Sequence, residues 1–307
     1  MNGNNPESPI IPLWSAFAGA PFSLAPERAE ELKDLIAARN IHFTLDDETH
    51  QMRFEGADLF GGLGLVCVGL RGLERLWVHA YASTHFYLRY QAVGFAQPIN
   101  LLATTEGQAV AELLNWALQG EMQGNPAPWP DNLPKPIQNP ADAQNQIANE
   151  LFWGAAGFAV LHEIGHIVRD HKGVNLPRDV KYRHEFEADE WAYDWVMNKW
   201  RDFQAHDTVF KKRTTLIATL FSLIAVNQVY RPRRVVESNH PNTIDRLLRF
   251  LTKHANEDSG LPIALAWGVA GATIHFHLSQ RLDNPLPVFD RWRTYFNAIH
   301  DAVDCYD

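Results

Sequence analysis

Residues 147–171 read IANELFWGAAGFAVLHEIGHIVRDH. The run is apolar, lacks proline and is expected to form one helix. Its last third carries the pattern His162-Glu163-Ile164-Gly165-His166. Residues four apart lie on the same helix face, so His162 and His166 are expected to point at one metal ion. Glu163 lies about 100° around the axis from His162, which sets its carboxylate beside the metal and not on it. Two imidazole ligands with a neighbouring general base are the logic of an HExxH zinc hydrolase. Gly165 weakens a helix by about 1 kcal/mol relative to alanine, so its presence suggests close approach of another segment or of a substrate.

A catalytic zinc takes three protein ligands and leaves one position for water. The pattern HExxHxxGxxH is excluded, because Arg169 and Lys172 stand where it needs glycine and histidine. His171 would face about 140° away from His166 on a straight helix. Asp170 shares the histidine face, but three ligands in a row along one helix surround a tetrahedral ion poorly. The better third ligand is downstream, in residues 184–196, HEFEADEWAYDWV. The intervening stretch contains Pro177 and lets the chain reverse into an antiparallel helix. On that helix Glu185 and Asp189 share a face. Glu185 is expected to bind the metal, and Asp189 to hold the distal nitrogen of a ligand histidine. Glu187 and Glu190 are expected to be solvated. Acids here also suit the first turn of a helix.

Composition narrows the rest. The chain has 307 residues, 46% apolar and 21% charged, with a net charge of −9. This is a globular composition without the basic surplus of a nucleic-acid binder, so no nucleic-acid partner is expected. Two cysteines and 14 histidines leave His and carboxylate as the metal ligands. The opening MNGNNPESPIIPLW lacks a basic stretch followed by an apolar one, so no secretory signal is expected. The apolar segments 216–226 and 261–278 are short or interrupted by Thr and His, so membrane insertion is not expected and the cytoplasm is the default location.

Along the chain, the first 25 residues are rich in Pro and small residues and are expected to wrap the surface. Residues 26–40 read as a helix opened by Pro26. Residues 41–56 read as two short strands around an acidic turn. The Gly-rich run at 60–70 has no phosphate-binding pattern. Helices are expected at 73–92 and 107–118. Five prolines between Pro126 and Pro140 mark a linker or surface crossing. The expected fold is α+β and mainly helical, with zincin-like catalytic helices. Its expected parts are an α+β region over 1–124 that caps a cleft, a Pro-rich linker over 125–140, and a helical metallopeptidase domain over 141–307. Arg213 belongs to a basic cluster with Lys211 and Lys212, expected on a solvated face.

HEIGH followed by EFEADEWA resembles the gluzincins, whose second helix carries Glu-x-x-x-Asp. Residues 238–246, Ser-Asn-His-Pro-Asn-Thr-Ile-Asp-Arg, are similar to an element of the HtpX and CAAX-prenyl-protease group. That resemblance implies that His240 hydrogen-bonds the developing oxyanion and that Arg246 braces the site. His240-Pro241 also suits a helix start. The size and the close spacing of HEIGH and EFEAD look most like the Lit-type phage-exclusion peptidases, and the ImmA/IrrE regulators are also similar. The resemblance covers roughly residues 150–250. It implies a Zn²⁺ endopeptidase acting on a protein or peptide substrate, with an elongation factor Tu-like target. Two alternatives stand beside it. One is a zinc-stapled binding module without turnover, its fourth ligand drawn from His240 or His184. The other is a zinc hydrolase of a non-peptide amide.

Overall fold

The computed structural model describes residues 8–17, 19–46, 54–59, 63–93, 101–122, 128–171 and 176–197, together with Arg213, Leu216, Ile217, Leu220, Phe221, Pro241 and Arg246. In chain order the elements are α1 (Ile11–Phe17), α2 (Ala20–Leu24), a 3₁₀ turn (Pro26–Arg28), α3 (Ala29–Ala38), β1 (Ile41–Asp46), β2 (Phe54–Leu59), β3 (Leu63–Gly69) and α4 (Leu70–Val93). A second 3₁₀ turn (Leu101–Ala103), α5 (Thr105–Met122), α6 (Ala143–Val168) and α7 (Arg178–Met197) follow. The class is mainly helical α+β, as the sequence implies.

The architecture is organised around α6. Its 26 residues span about 39 Å at 1.5 Å per residue. From Leu151 to Gly165 every residue except Trp153 is buried. A helix apolar all round has to be covered on every side, and α6 packs against α4, α7, α2 and strand β2. By length and composition α6 could cross a membrane, but 83% of its apolar window is buried inside the protein, where it is the core helix. Gly157 permits the close approach of α2. A Cβ there would lie 2.8 Å from the Ala20 carbonyl oxygen, so α2 rests on bare α6 backbone.

Among the described residues, 8–25 contribute side chains to the core and are not only a surface wrap. Ile10, Leu13, Phe17 and Leu24 are all at most 3% exposed. Their spacing is helical, and burying each contributes about 1.5–3 kcal/mol, which outweighs the Pro-rich composition around them. The sheet also differs from the expected pair of strands around a turn. Both strands exist, but β3, from the Gly-rich run, lies between them in the order β1-β3-β2. β1 runs parallel to β3 and β2 antiparallel to it. Val66 and Val68 are fully buried, which suits β3 to the central position.

The Pro-rich stretch is a strap whose side chains enter the core. Trp129 and Leu133 are 8% and 5% exposed. Asn149 of α6 accepts a hydrogen bond from Trp77 Nε1 of α4 (2.8 Å) and donates to the Ile137 carbonyl of the strap (2.7 Å). One hydrophobic cluster thus runs through α4, the strap and α6, across the boundary expected at 125–140. Arg213 is buried as well. It pairs with Glu27 at 3.1 and 3.0 Å and donates to the Val196 carbonyl, tying the end of α7 to the 3₁₀ turn before α3.

Asp142 starts α6. Its side chain accepts from the Asn145 backbone N–H at 2.8 Å, and this contact holds its pKa below the ordinary 3.8. Asp142→Ala is expected to lower stability at pH 7 by about 1 kcal/mol. Because the folded-state pKa is depressed, the difference is present above pH 3.8 and narrows as the pH falls below it. Denaturant unfolding of both proteins across that range checks the sign.

Candidate metal centre

The last turns of α6 and the middle of α7 carry the polar groups. At Gly165 a Cβ would sit 3.2 Å from the Ala188 carbonyl oxygen and 3.2 Å from the Trp191 ring. Glycine therefore lets the α7 backbone lie directly against α6, one residue before His166. That approach brings Glu185 across from both histidines. His162 Nε2 and His166 Nε2 are 3.1 Å apart. Glu185 Oε2 lies 3.5 Å from the first and Oε1 lies 3.4 Å from the second. One ligand atom from each residue falls within 4.8 Å of the others. Among the described residues, no fourth His, Cys, Asp or Glu joins this set. α7 begins at Arg178, earlier than the sequence suggests, so Glu185 sits in the helix interior and not in its acidic first turn.

The donor set fits a divalent metal on two counts. Zinc–ligand bonds of about 2.0–2.2 Å in a tetrahedron place donors roughly 3.3 Å apart; the two histidine nitrogens stand 3.1 Å apart, and one atom from each of the three residues lies within 4.8 Å of the others. The field is also cationophilic. Burial works to lower the His162 pKa, yet the Asp189 and Glu185 carboxylates overcome it and push it up to about 10. The same carboxylates would favour a metal ion held by neutral imidazoles.

Each histidine is held from behind. Asp189 Oδ1 lies 2.8 Å from His162 Nδ1. Asp189 in turn accepts two hydrogen bonds from Arg246, at 2.7 and 2.6 Å, and Arg246 Nη1 is 3.4 Å from Glu185 Oε2. Burial alone would raise the Asp189 pKa, but Arg246 and His162 keep it below its ordinary value. His166 is backed differently. Its Nδ1 lies 2.9 Å from His171 Nδ1, and His171 Nε2 lies 2.9 Å from Glu187 Oε2. Glu187 is therefore paired with His171 and not merely solvated, and the contact lowers its pKa. Burial lowers the His171 pKa.

Of the residues chosen from the sequence, the structure brings His162, His166, Glu185, Asp189 and Arg246 into contact. Glu163 is 8% exposed beside His162, and its charge reaches Arg246. His240 lies outside the described residues, as do segment 261–278, Lys211 and Lys212. His184 does not join the donor set but stacks on His171, with ring centroids 4.0 Å apart. Sequence reasoning missed His171, because straight-helix geometry carries it away. The cue was the polar RDHK that ends the apolar run.

Residues 68–270 match the family Peptidase U49, more than half of the chain. The match spans both sides of the Pro-rich strap and includes every residue of the donor set. The chain is also similar to the cell death peptidase of Escherichia coli (strain K12), 27% identical over 249 residues that cover 78% of this chain and 80% of the relative. No solved structure matches.

The Asp189–Arg246 pair is buried, with side chains 16% and 7% exposed. Removing one member of such a pair costs roughly 3–5 kcal/mol. Arg246→Met is expected near the lower end, since His162 still faces Asp189. Adding Asp189→Asn should recover much of the loss. Chemical denaturation in the presence of chelator measures the cycle, and additive losses would show that the two residues act independently.

Proposed function

The chain belongs to the Peptidase U49 family, and on that premise we propose that it is a zinc-dependent endopeptidase of the gluzincin type acting on an intracellular protein. The observation that carries this reading is the three-donor set His162, His166 and Glu185 from α6 and α7, with Glu163 buried beside it. Two imidazoles and a carboxylate with a neighbouring glutamate are the ligands and general base that a hydrolytic zinc uses.

Zn²⁺ held by these residues would supply a Lewis acid that polarises the scissile carbonyl and acidifies water. Glu163 then takes a proton from the attacking water and delivers it to the departing amine nitrogen. Asp189 orients the His162 ring, and Arg246 offsets the charge of Asp189 and Glu185. His240, assigned by motif resemblance, would stabilise the oxyanion. The substrate is proposed to be a single cytoplasmic protein cleaved during phage infection or stress. Elongation factor Tu is the first candidate, on the resemblance of the HEIGH and EFEAD motifs alone. Residues 1–124 are proposed to contribute to its recognition.

Glu163→Gln is expected to keep stoichiometric zinc and to lose at least about 10²–10⁴-fold in cleavage rate. Wild type and variant would be incubated in bacterial lysate and new protein N-termini compared by mass spectrometry, alongside metal analysis. A cut made only by the wild type identifies the target. Undiminished cleavage by the zinc-loaded variant would sink the mechanism.

A further inference from the structure

The end of α6 folds back onto its own metal-facing side. Val168 is the last helical residue, and Asp170 takes a left-handed conformation with φ 54°. The His171 N–H donates to the His166 carbonyl at 3.0 Å, and the Asp170 N–H donates to the Ile167 carbonyl at 3.2 Å. These are the two hydrogen bonds of a Schellman turn. Glycine usually occupies the left-handed position of such a turn. Here an aspartate accepts that conformation, which costs an L-residue roughly 1–2 kcal/mol. The turn brings the His171 side chain to His166, when another helical step would carry it off the face.

His171 is then held on three sides. Its Nδ1 meets His166 Nδ1 and its Nε2 meets Glu187 Oε2, each at 2.9 Å. Its ring lies flat on His184, at an interplanar angle of 2°. The side chain is 5% exposed. Two groups come from α7 and one from α6, so the ring has one orientation available.

We propose that His171, anchored by Glu187, is a positioning residue that fixes the tautomer and orientation in which His166 offers Nε2 to a metal. This rests on the metal-site reading above. A carboxylate only accepts, so His171 Nε2 carries the proton that meets Glu187. Neutral His171 then has its lone pair on Nδ1. His166 Nδ1–H donates to that lone pair, and the His166 lone pair is left on Nε2, the atom that faces His162 and Glu185. The two histidines thus reach α7 carboxylates by different routes. Asp189 holds His162 directly, and Glu187 holds His166 through one intervening imidazole.

The test uses the full chain as wild type, His171→Phe, His171→Asn, Glu187→Gln and the ligand variant His162→Ala. Zn²⁺ affinity is read by competition with a chromophoric chelator, and the site by the visible spectrum of the Co²⁺ protein. Unfolding midpoints are taken in chelator. His171→Phe fills the space but accepts no hydrogen bond. It is expected to weaken Zn²⁺ roughly 10–100-fold and to shift the Co²⁺ bands. His171→Asn sets an acceptor oxygen at the position of Nδ1 and should regain part of the affinity, although it is smaller and no better folded than His171→Phe by its metal-free midpoint. Glu187 is 41% exposed, so Glu187→Gln should fold normally and weaken Zn²⁺ in the same direction. Wild-type affinity and spectrum in His171→Phe and Glu187→Gln overturn the proposal, as does an equal loss in His171→Phe and His171→Asn. A wild type that binds Zn²⁺ no better than His162→Ala overturns the metal-centre reading and this inference with it.

Discussion

Placing charge on the core helix α6 is the constraint that the other described elements satisfy. α6 is the core helix, and it also carries His162, Glu163 and His166 in its last turns. Burial of unpaired charge is prohibitive, so every ionisable group there has to meet a partner of opposite sign. Glu185 and Asp189 bring two more negative charges from α7. Arg246, from far along the chain, lies against both of them. Even so, three carboxylates stand against one guanidinium among these residues. Burial lowers the His162 pKa, and Asp189 and Glu185 more than reverse it. A site of this kind has a net attraction for a cation built into its packing, before any ligand distance is considered.

Two of the glycines of α6 let neighbouring backbone close over it. Gly157 admits the α2 backbone at Ala20, and Gly165 admits the α7 backbone at Ala188. The first contact covers the apolar middle of the helix. The second sets how far Glu185 stands from the two histidines. A larger residue at 165 would push α7 outward and open the donor set, so a helix-weakening residue is kept beside His166. The cost in helix propensity is small against the burial that α6 gains from its neighbours.

Much of this was legible in the sequence, for reasons that differ by residue. His162, His166, Glu185 and Asp189 were found because a helix period fixes which residues share a face. α3, α4 and α5 were placed to within a few residues by apolar patterning. The order of the strands was not legible, since β3 pairs with β1 across an intervening strand, and sequence adjacency favours the wrong neighbour. The N-terminal helices were misread because composition was weighed above the spacing of Ile10, Leu13 and Phe17. Arg213 was read with its basic neighbours as a solvated face. Its burial depends on Glu27, 186 positions away, and no local pattern carries such a pairing.

His171 shows a different limit. On a helix that continued, position 171 would face away from His166, but the helix stops at Val168. A helix end is decided by backbone hydrogen bonds to the last carbonyls, and here a non-glycine residue, Asp170, adopts the left-handed turn. Arg39 makes long contacts to this end, 3.4 Å to the Val168 carbonyl and 3.4 Å to Asp170. Arg39, between α3 and β1, thus reaches the turn that ends α6. The orientation of the His166 ring is thus set, through His171, by the turn that ends α6 together with Glu187 and His184 of α7.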